Sequence, residues 1–322
     1  MRADSPTPQV NIHSFTAGLE RIRAVWRGHS VARYTSNVDD PQQQIRWTVA
    51  WALSHGSLSS EASDCLESLK REQTAPVHPP LETSVHESDV AGWEKRLRGL
   101  QEDLGIDLVA FRDGRYPPLL REGLLAPPLL FMMGRSLLAQ RKPVAIVGSR
   151  DVSTQISRDT EALAAMLAAR GHCIVSGLAE GTDTAAHQGA LSEASGATVA
   201  VLPSGIQDIF PESNRALAEE IGERGLLLSE FLPWDQARRS YFLQRNATIS
   251  ALSLVSFVMA AGQRSGSRSE INHAVRNGRE VFLWRAGIGD QPWALRMVSE
   301  GLATFVDSLD EAAERAERAF HA

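Results

Sequence analysis

The chain has 322 residues, with 33 Lys and Arg against 39 Asp and Glu, a formal net charge of −6 and 43 % apolar residues. That length and composition suit two ordinary domains with packed cores. The two cysteines, Cys65 and Cys173, exclude a disulfide framework and a CxxC metal site, and no cofactor is expected. No stretch approaches the 18 apolar residues of a membrane span, and the start, MRADSPTPQV, lacks the pattern of a signal peptide. The chain therefore reads as soluble, reduced and cytoplasmic. Only three lysines (Lys70, Lys95, Lys142) accompany its arginines, so a phosphate grip must be built from planar, bidentate guanidinium forks. An acidic total does not exclude nucleic acid, because the local field decides at the site.

Residues 1–105 read as a helical N-terminal domain. QQQIRWTVAWALSHG (42–56) places Ile45, Val49, Trp51 and Leu53 at mostly helical spacing, and Leu58 to Leu69 gives a second short helix. TAPVHPPLETSVHESD (74–89) has three prolines and no periodicity, as a linker does. VAGWEKRLRGLQEDLG (90–105) is helical again and ends in a glycine. Trp26, Trp47, Trp51 and Trp93 suit packing between helices better than stacking on a ligand.

From residue 106 to 322 the pattern is that of an α/β domain. Short β-branched runs are VAIV (144–147), CIVS (173–176), TVAVL (198–202), LLLSE (226–230), LVSFVM (254–259) and EVFLW (280–284). The segments between them, Ser157–Arg170, Thr182–Ser195, Ser213–Arg224, Asn246–Leu252 and Ser269–Asn277, read as helices. Strands apolar on both faces, alternating with helices, predict a mainly parallel sheet covered on both sides. Such sheets bind ligands at the carboxyl ends of their strands. Small residues stand at five of those ends, among them Gly148-Ser149-Arg150 and Ala261-Gly262-Gln263-Arg264, which predicts a shared crevice.

Several motifs point to phosphate chemistry. VGSRDVS (147–153) has a single glycine and is no GxGxxG fingerprint, so a dinucleotide site is not expected. Gly148 and Ser149 form a turn that lets backbone approach a ligand, and Arg150 can reach an anion at the next helix start. Arg238 to Arg285 holds eight arginines and two acids, a net +6. Within it, RRSYFLQRNATIS (238–250) joins Arg239, Phe242, Arg245 and Asn246, the mixture of guanidinium and aromatic that suits a single-stranded nucleic acid. Ser265-Gly266-Ser267, flanked by Arg264 and Arg268, reads as an anion nest at a helix start. Asp183 and His187 share a helical face; without a third partner they fit a helix-terminal acid and a polar core residue better than a catalytic pair. In FPESNRAL (210–217), Ser213 or Asn214 is a candidate N-cap. Cys173, in an apolar run, reads as a buried thiol.

The ordered set DGRYPPLLREGLLAPPLLFMMG (113–134), VAIVGSR (144–150), IVSGLAEGTDTAAHQGAL (174–191), TVAVLPSGIQDIFPESN (198–214), LLSEF (227–231), FLQRNATISALS (242–253), SGS (265–267) and NGREVF (277–282) resembles the DprA/Smf family of DNA-processing proteins. The resemblance implies an extended Rossmann-like domain, often preceded by a small helical one. It further implies single-stranded-DNA binding in a basic pocket, protection of that DNA, dimerisation, delivery of the RecA recombinase and no catalytic chemistry. Arg150, Arg245, Asn246, Gly266 and Ser267 match the pocket motifs, and Phe242 its aromatic. Homodimerisation through the sheet domain is expected, with the apolar run Val281-Phe282-Leu283-Trp284 as a candidate face.

The chain departs from the family pattern around this pocket. Arg245-Asn246-Ala247 replaces RNR, Arg268-Ser269-Glu270-Ile271 follows SGS in place of Leu-Ile-Thr-Ala, and Arg285-Ala286-Gly287 replaces Val-Pro-Gly. Gly266-Ser267-Arg268-Ser269-Glu270 also resembles the GTxxE of lysine-decarboxylase-like phosphoribohydrolases. That alternative makes Glu270 and Arg245 catalytic groups on a nucleoside monophosphate, or leaves a nucleotide-sensing module. The glycines that precede GT in those enzymes are missing here.

Overall fold

A computed structural model describes residues 87–320, apart from 112, 128, 137, 139, 263 and 264. Trp26, Trp47, Trp51, the first two expected helices and all but the end of the proline-rich stretch lie outside the described residues.

One nine-stranded sheet runs through the molecule in the order β1-β2-β6-β5-β4-β3-β7-β8-β9. Six strands fall on the six apolar runs: β3 (Lys142–Gly148), β4 (His172–Ser176), β5 (Ala197–Val201), β6 (Leu226–Ser229), β7 (Val255–Ala260) and β8 (Glu280–Trp284). Their pairings with one another are all parallel. Every residue of β4, β5, β6 and β7 is buried, which is why these strands read as unbroken apolar runs. Successive side chains alternate between the two faces. Ala145 and Val147 join one core with residues of the helices on that side, and Val144 and Ile146 join the other.

The described helices are α1 (Glu87–Leu104), α2 (Pro118–Arg121), α3 (Thr154–Ala169), α4 (Thr182–Ser192), α5 (Arg215–Arg224), α6 (Arg239–Leu252), α7 (Ser267–Arg276), α8 (Arg285–Ile288), α9 (Pro292–Ser299) and α10 (Leu309–Ala319). Helices α6, α7 and α9 cover one face through Ile249, Leu252, Ile271, Ala274 and Ala294. Helices α3, α4 and α10 cover the other through Leu163, Leu167, Ala186 and Ala316. The fold is thus α/β and Rossmann-like, with helices on both sides of a mainly parallel sheet.

Three strands extend the predicted six. Antiparallel β1 (Asp107–Ala110) and β2 (Leu129–Gly134) close the β6 edge, and parallel β9 (Thr304–Val306) extends the β8 edge. Leu97 and Leu100 of α1 share a core with Leu108, Phe131 and Leu202, so the packed unit reaches back into α1. Helix α6 begins at Arg239, seven residues before the expected start at Asn246. The run Val281-Phe282-Leu283-Trp284 is buried inside β8 and cannot serve as a dimer face. A central parallel strand has both faces covered by its own helices.

Strand order reverses between β3 and β7: from β3 the chain moves outward through β4, β5 and β6, then returns to the other side of β3 as β7. Crossovers diverge at such a point and leave a crevice beyond the carboxyl ends of its two strands.

Candidate nucleic-acid interface

The crevice is there. Its volume is about 400 Å³, and four segments line it. Gly148 ends β3, with Ser149 and Arg150 after it, and Ala179 and Asp183 come from the β4–α4 connection and the first turn of α4. Phe242, Arg245, Asn246 and Ile249 come from α6, and Gly262, Ser265, Gly266, Ser267 and Glu270 from β7–α7.

The walls are held by backbone contacts that tolerate few side chains. A Cβ on Gly148 would strike the side chain of Thr182, whose hydroxyl donates to the Ser149 carbonyl at 3.1 Å. The Ser149 hydroxyl donates to Ala260 O at 3.3 Å and so ties together the ends of β3 and β7. Leu178, fully buried, holds φ +61°, a left-handed conformation that costs a non-glycine residue roughly 1–2 kcal/mol. Asn214 offsets part of that cost, since its Nδ2 donates to Leu178 O and to Thr184 Oγ1, both at 2.9 Å. Asn214 stands at the N-cap of α5 without making a side-chain cap bond. It fixes the neighbouring loop instead.

Helix α6 supplies the crevice floor. Phe242, Arg245, Asn246 and Ile249 lie at i, i+3, i+4 and i+7, one helical stripe. Its opposite side packs Tyr241 on Phe231, with centroids 4.0 Å apart and planes 5° apart, and Thr248 donates to Glu230 at 2.8 Å. Asn246 Nδ2 donates to Gly266 O at 3.3 Å, joining α6 to the β7–α7 turn. Arg245 is 4 % exposed and lies across Gly177, where a Cβ would fall on its Nη1. Asp183 stands 3.6 Å from that nitrogen and also accepts from Ala179 N–H. Burial pushes the Asp183 carboxyl up and the Arg245 guanidinium down; the charge of each opposes the shift of the other. A guanidinium stays charged in proteins, so the pair is ionic.

Phe242 carries positive charge on its ring. The Arg150 guanidinium lies 5.0 Å from its centroid and that of Arg245 5.9 Å. Phe210, from the loop after β5, meets it edge to face at 5.7 Å and 80°. Arg150 is exposed and faces the crevice mouth.

Two carboxyl groups beneath the site are forced toward neutrality. Glu270, in the first turn of α7, accepts from Ser256 Oγ at 2.7 Å, and burial raises its pKa to about 7. Glu230 is raised to about 7 in the same way, with Thr248 opposing. His187 sits in the core against Thr198 Oγ1 at 2.7 Å, and burial lowers its pKa to about 3. Thr198 uses its own proton on Ile174 O, so His187 donates from Nδ1 and stays neutral. Asp183 and His187 therefore hold separate structural posts, one at the crevice and one in the core. Cys173 is a buried free thiol, pushed up to about 12 by burial.

Among the sequence-derived candidates, Gly148, Ser149, Arg150, Phe242, Arg245, Asn246, Ser265, Gly266 and Ser267 all line the crevice. Arg239, exposed at the start of α6, and Arg268, whose guanidinium lies 5.4 Å over the Trp293 ring, are outside this lining. Arg264 lies outside the described residues. The expected anion nest needs correction. Ser267 N–H donates to Ser265 Oγ, Arg268 N–H to Ser265 O and Ser269 N–H to Gly266 O, so the helix start satisfies these donors internally. The linear basic island also disperses: Arg279 reaches the carbonyls of Leu119 and Ala251, and Arg285 pairs with Asp307 at 2.7 Å. Sequence reasoning missed Phe210 and the place of Asp183 in the site.

Residues 107–317 match the model of the DNA recombination-mediator protein A family. The chain belongs to this family. The DNA processing protein DprA of Streptococcus pneumoniae is 37 % identical over 204 residues, 63 % of this chain and 72 % of that protein. A crystal structure of DprA from Streptococcus pneumoniae superposes with a TM-score of 0.62 at 29 % identity, covering 83 % of this chain and 94 % of its own. DNA processing protein A from Helicobacter pylori, studied for its single-stranded DNA binding mode, superposes with a TM-score of 0.60 at 26 % identity, covering 67 % of this chain and 97 % of its own. The recombination-mediator family match spans all strands of the sheet and every segment of the crevice.

Proposed function

We propose that this chain binds single-stranded DNA in the crevice between β3 and β7, and that it serves recombination as a non-catalytic mediator. The observation that carries the reading is the Arg150–Phe242 pair at the crevice mouth: an exposed guanidinium seated on an aromatic ring, beside a second arginine. Guanidinium groups grip phosphates and aromatic rings stack on bases of any identity. Uncharged hydroxyl groups of Ser149, Ser265 and Ser267 line the crevice beside the apolar Phe242 and Ile249. Membership of the recombination-mediator family supports the same reading. Mobility-shift titration with a single strand and its duplex is the test: tighter single-strand binding is expected, and equal or tighter duplex binding would overturn it.

Protection of the bound strand, delivery of a RecA-type recombinase, self-association and action in the cytoplasm complete the proposal. Among the described residues no helix is long and apolar enough to cross a membrane. Two crevices on a dimer would raise the avidity for a long strand without new contacts. Light scattering at micromolar concentration tests the dimer; the buried β8 run would not form its face.

Arg245 and Glu270 both line the crevice, as the phosphoribohydrolase alternative requires. Their geometry favours binding over hydrolysis. Arg245 is already held by Asp183, and Glu270 is 1 % exposed with one oxygen bound by Ser256.

A further inference from the structure

We propose that the Arg268 guanidinium, seated on the Trp293 ring, is a second phosphate contact, and that the strand leaves the crevice over the start of α7 toward β8. This rests on the single-stranded-DNA reading above and extends it: the base on Phe242 and the phosphate on Arg150 stay where that reading puts them.

The crevice lining is short of cations. Of the two guanidinium groups among its described residues, Arg245 is buried and paired with Asp183, which leaves Arg150 at the mouth. A further phosphate has to be met outside the lining, and Arg268 is placed for that. It follows Ser267, which lines the crevice, and stands in the first turn of α7. It is half-buried, with its guanidinium 5.4 Å from the Trp293 centroid. Attraction to a ring uses none of a guanidinium's N–H donors, so such a group can lie on an indole and grip a phosphate at once.

The platform under Arg268 is fixed to the crevice. Trp293 Nε1–H donates to Gln291 Oε1 at 2.8 Å, and Gln291 Nε2 donates to Ala261 O at 3.1 Å. Ala261 directly precedes Gly262, which lines the crevice. Trp293 also packs on the core with Met297 and Val298. A Cβ on Gly287 would strike Met259 O, so the β8–α9 connection is pressed against β7. An arginine on so rigid a seat has little rotamer freedom left to lose on binding.

Two guanidinium–aromatic pairs therefore flank the crevice. Arg150 follows β3 and Trp293 belongs to the segment after β8, with β7 between those strands. Two strand spacings separate β3 from β8, about 10 Å. A strand crossing the carboxyl ends of the sheet meets Arg150 and then Arg268. Arg268 stands where the family pattern has leucine, so this contact distinguishes the chain within its family.

The test uses the full chain and oligothymidylates of increasing length, titrated at several salt concentrations. Arg268→Leu restores the family residue and should fold normally. Its affinity for long strands is expected to fall about fivefold, with a log–log salt slope smaller by about 0.7. For strands too short to reach beyond Arg150 it should match wild type. Arg268→Lys should keep the slope, because the charge remains. Arg150→Ala combined with Arg268→Leu should lose about twice the slope of either alone, as for two separate phosphates. A slope for Arg268→Leu equal to that of wild type at every length, or a loss that Arg268→Lys fails to restore, would overturn the inference while leaving the binding reading standing. A wild-type chain that binds no single strand removes the reading and the inference together.

Discussion

The guanidinium of Arg245 occupies the space a side chain on Gly177 would need: an added Cβ would coincide with Nη1. Asp183 stands 3.6 Å from that nitrogen, and the added Cβ would fall between the two. The strand end after β4 thus acts as the bed for a cation that α6 delivers from 68 positions later in the chain. An arginine so held has lost its rotamer freedom before any ligand arrives.

Gly177→Ala should leave the sheet intact, because the atom displaced is the far end of a flexible side chain, and should move Arg245 off Asp183. Single-strand affinity is expected to fall about tenfold, as for Arg245→Ala, and the double variant should be no worse than either. Titration of the three variants checks this; additive losses would show that Gly177 acts elsewhere.

Asp183→Ala leaves a buried, uncompensated guanidinium and should cost about 3–5 kcal/mol of stability. Asp183→Ala combined with Arg245→Met should recover much of that loss, because an apolar group of similar length removes the orphaned charge. Urea unfolding of the two variants supplies the comparison.

Arg150 is exposed, so its replacement should not disturb folding. Arg150→Ala is expected to lower single-strand affinity and to reduce the log–log salt slope by about 0.7, the contribution of one neutralised phosphate. Titrations at several salt concentrations read both numbers, and an unchanged slope would remove Arg150 from phosphate contact.

Glu270 gives the site a dependence on pH. Its folded pKa of about 7 exceeds the ordinary 4.5, so the folded protein keeps a proton that the unfolded chain releases. Stability should therefore fall as pH rises from about 4.5 to about 7 and level off above. Glu270→Gln should flatten part of that fall, with Glu230 responsible for a further part. At pH 8 the variant should also bind single strands about threefold more tightly, because a negative charge has left the crevice, and at pH 6 the two should converge. Denaturation and binding measured at both pH values decide.

Incubation of the protein with AMP, CMP, GMP and UMP should release no free base by chromatography. Release that disappears in Glu270→Gln would instead assign Glu270 to transition-state stabilisation on a ribose, an effect worth several kcal/mol in an active hydrolase.

Six parallel strands could be read directly from the chain, because a strand buried on both faces has no choice but to be apolar throughout. The glycine and serine turns at their ends, and the place of Arg150 and Arg245 at the crevice, were legible for a related reason: few residue types suit a tight strand-to-helix turn or a planar ionic grip. The antiparallel strands β1 and β2 escaped, since a sheet edge can be closed by many short sequences. The first half of α6 escaped because Phe242 and Arg245 face the crevice, and hydrophobic periodicity is weak there. Charge counting along the chain overstated the basic island, since folding turns Arg279 and Arg285 to other partners and brings Asp183 in. Which arginines face one another, which phenyl ring stays open and which carboxyl loses its charge depend on the packing of β3, β7, α4 and α6. Burial and the distance between groups remote in sequence are set only when those elements meet.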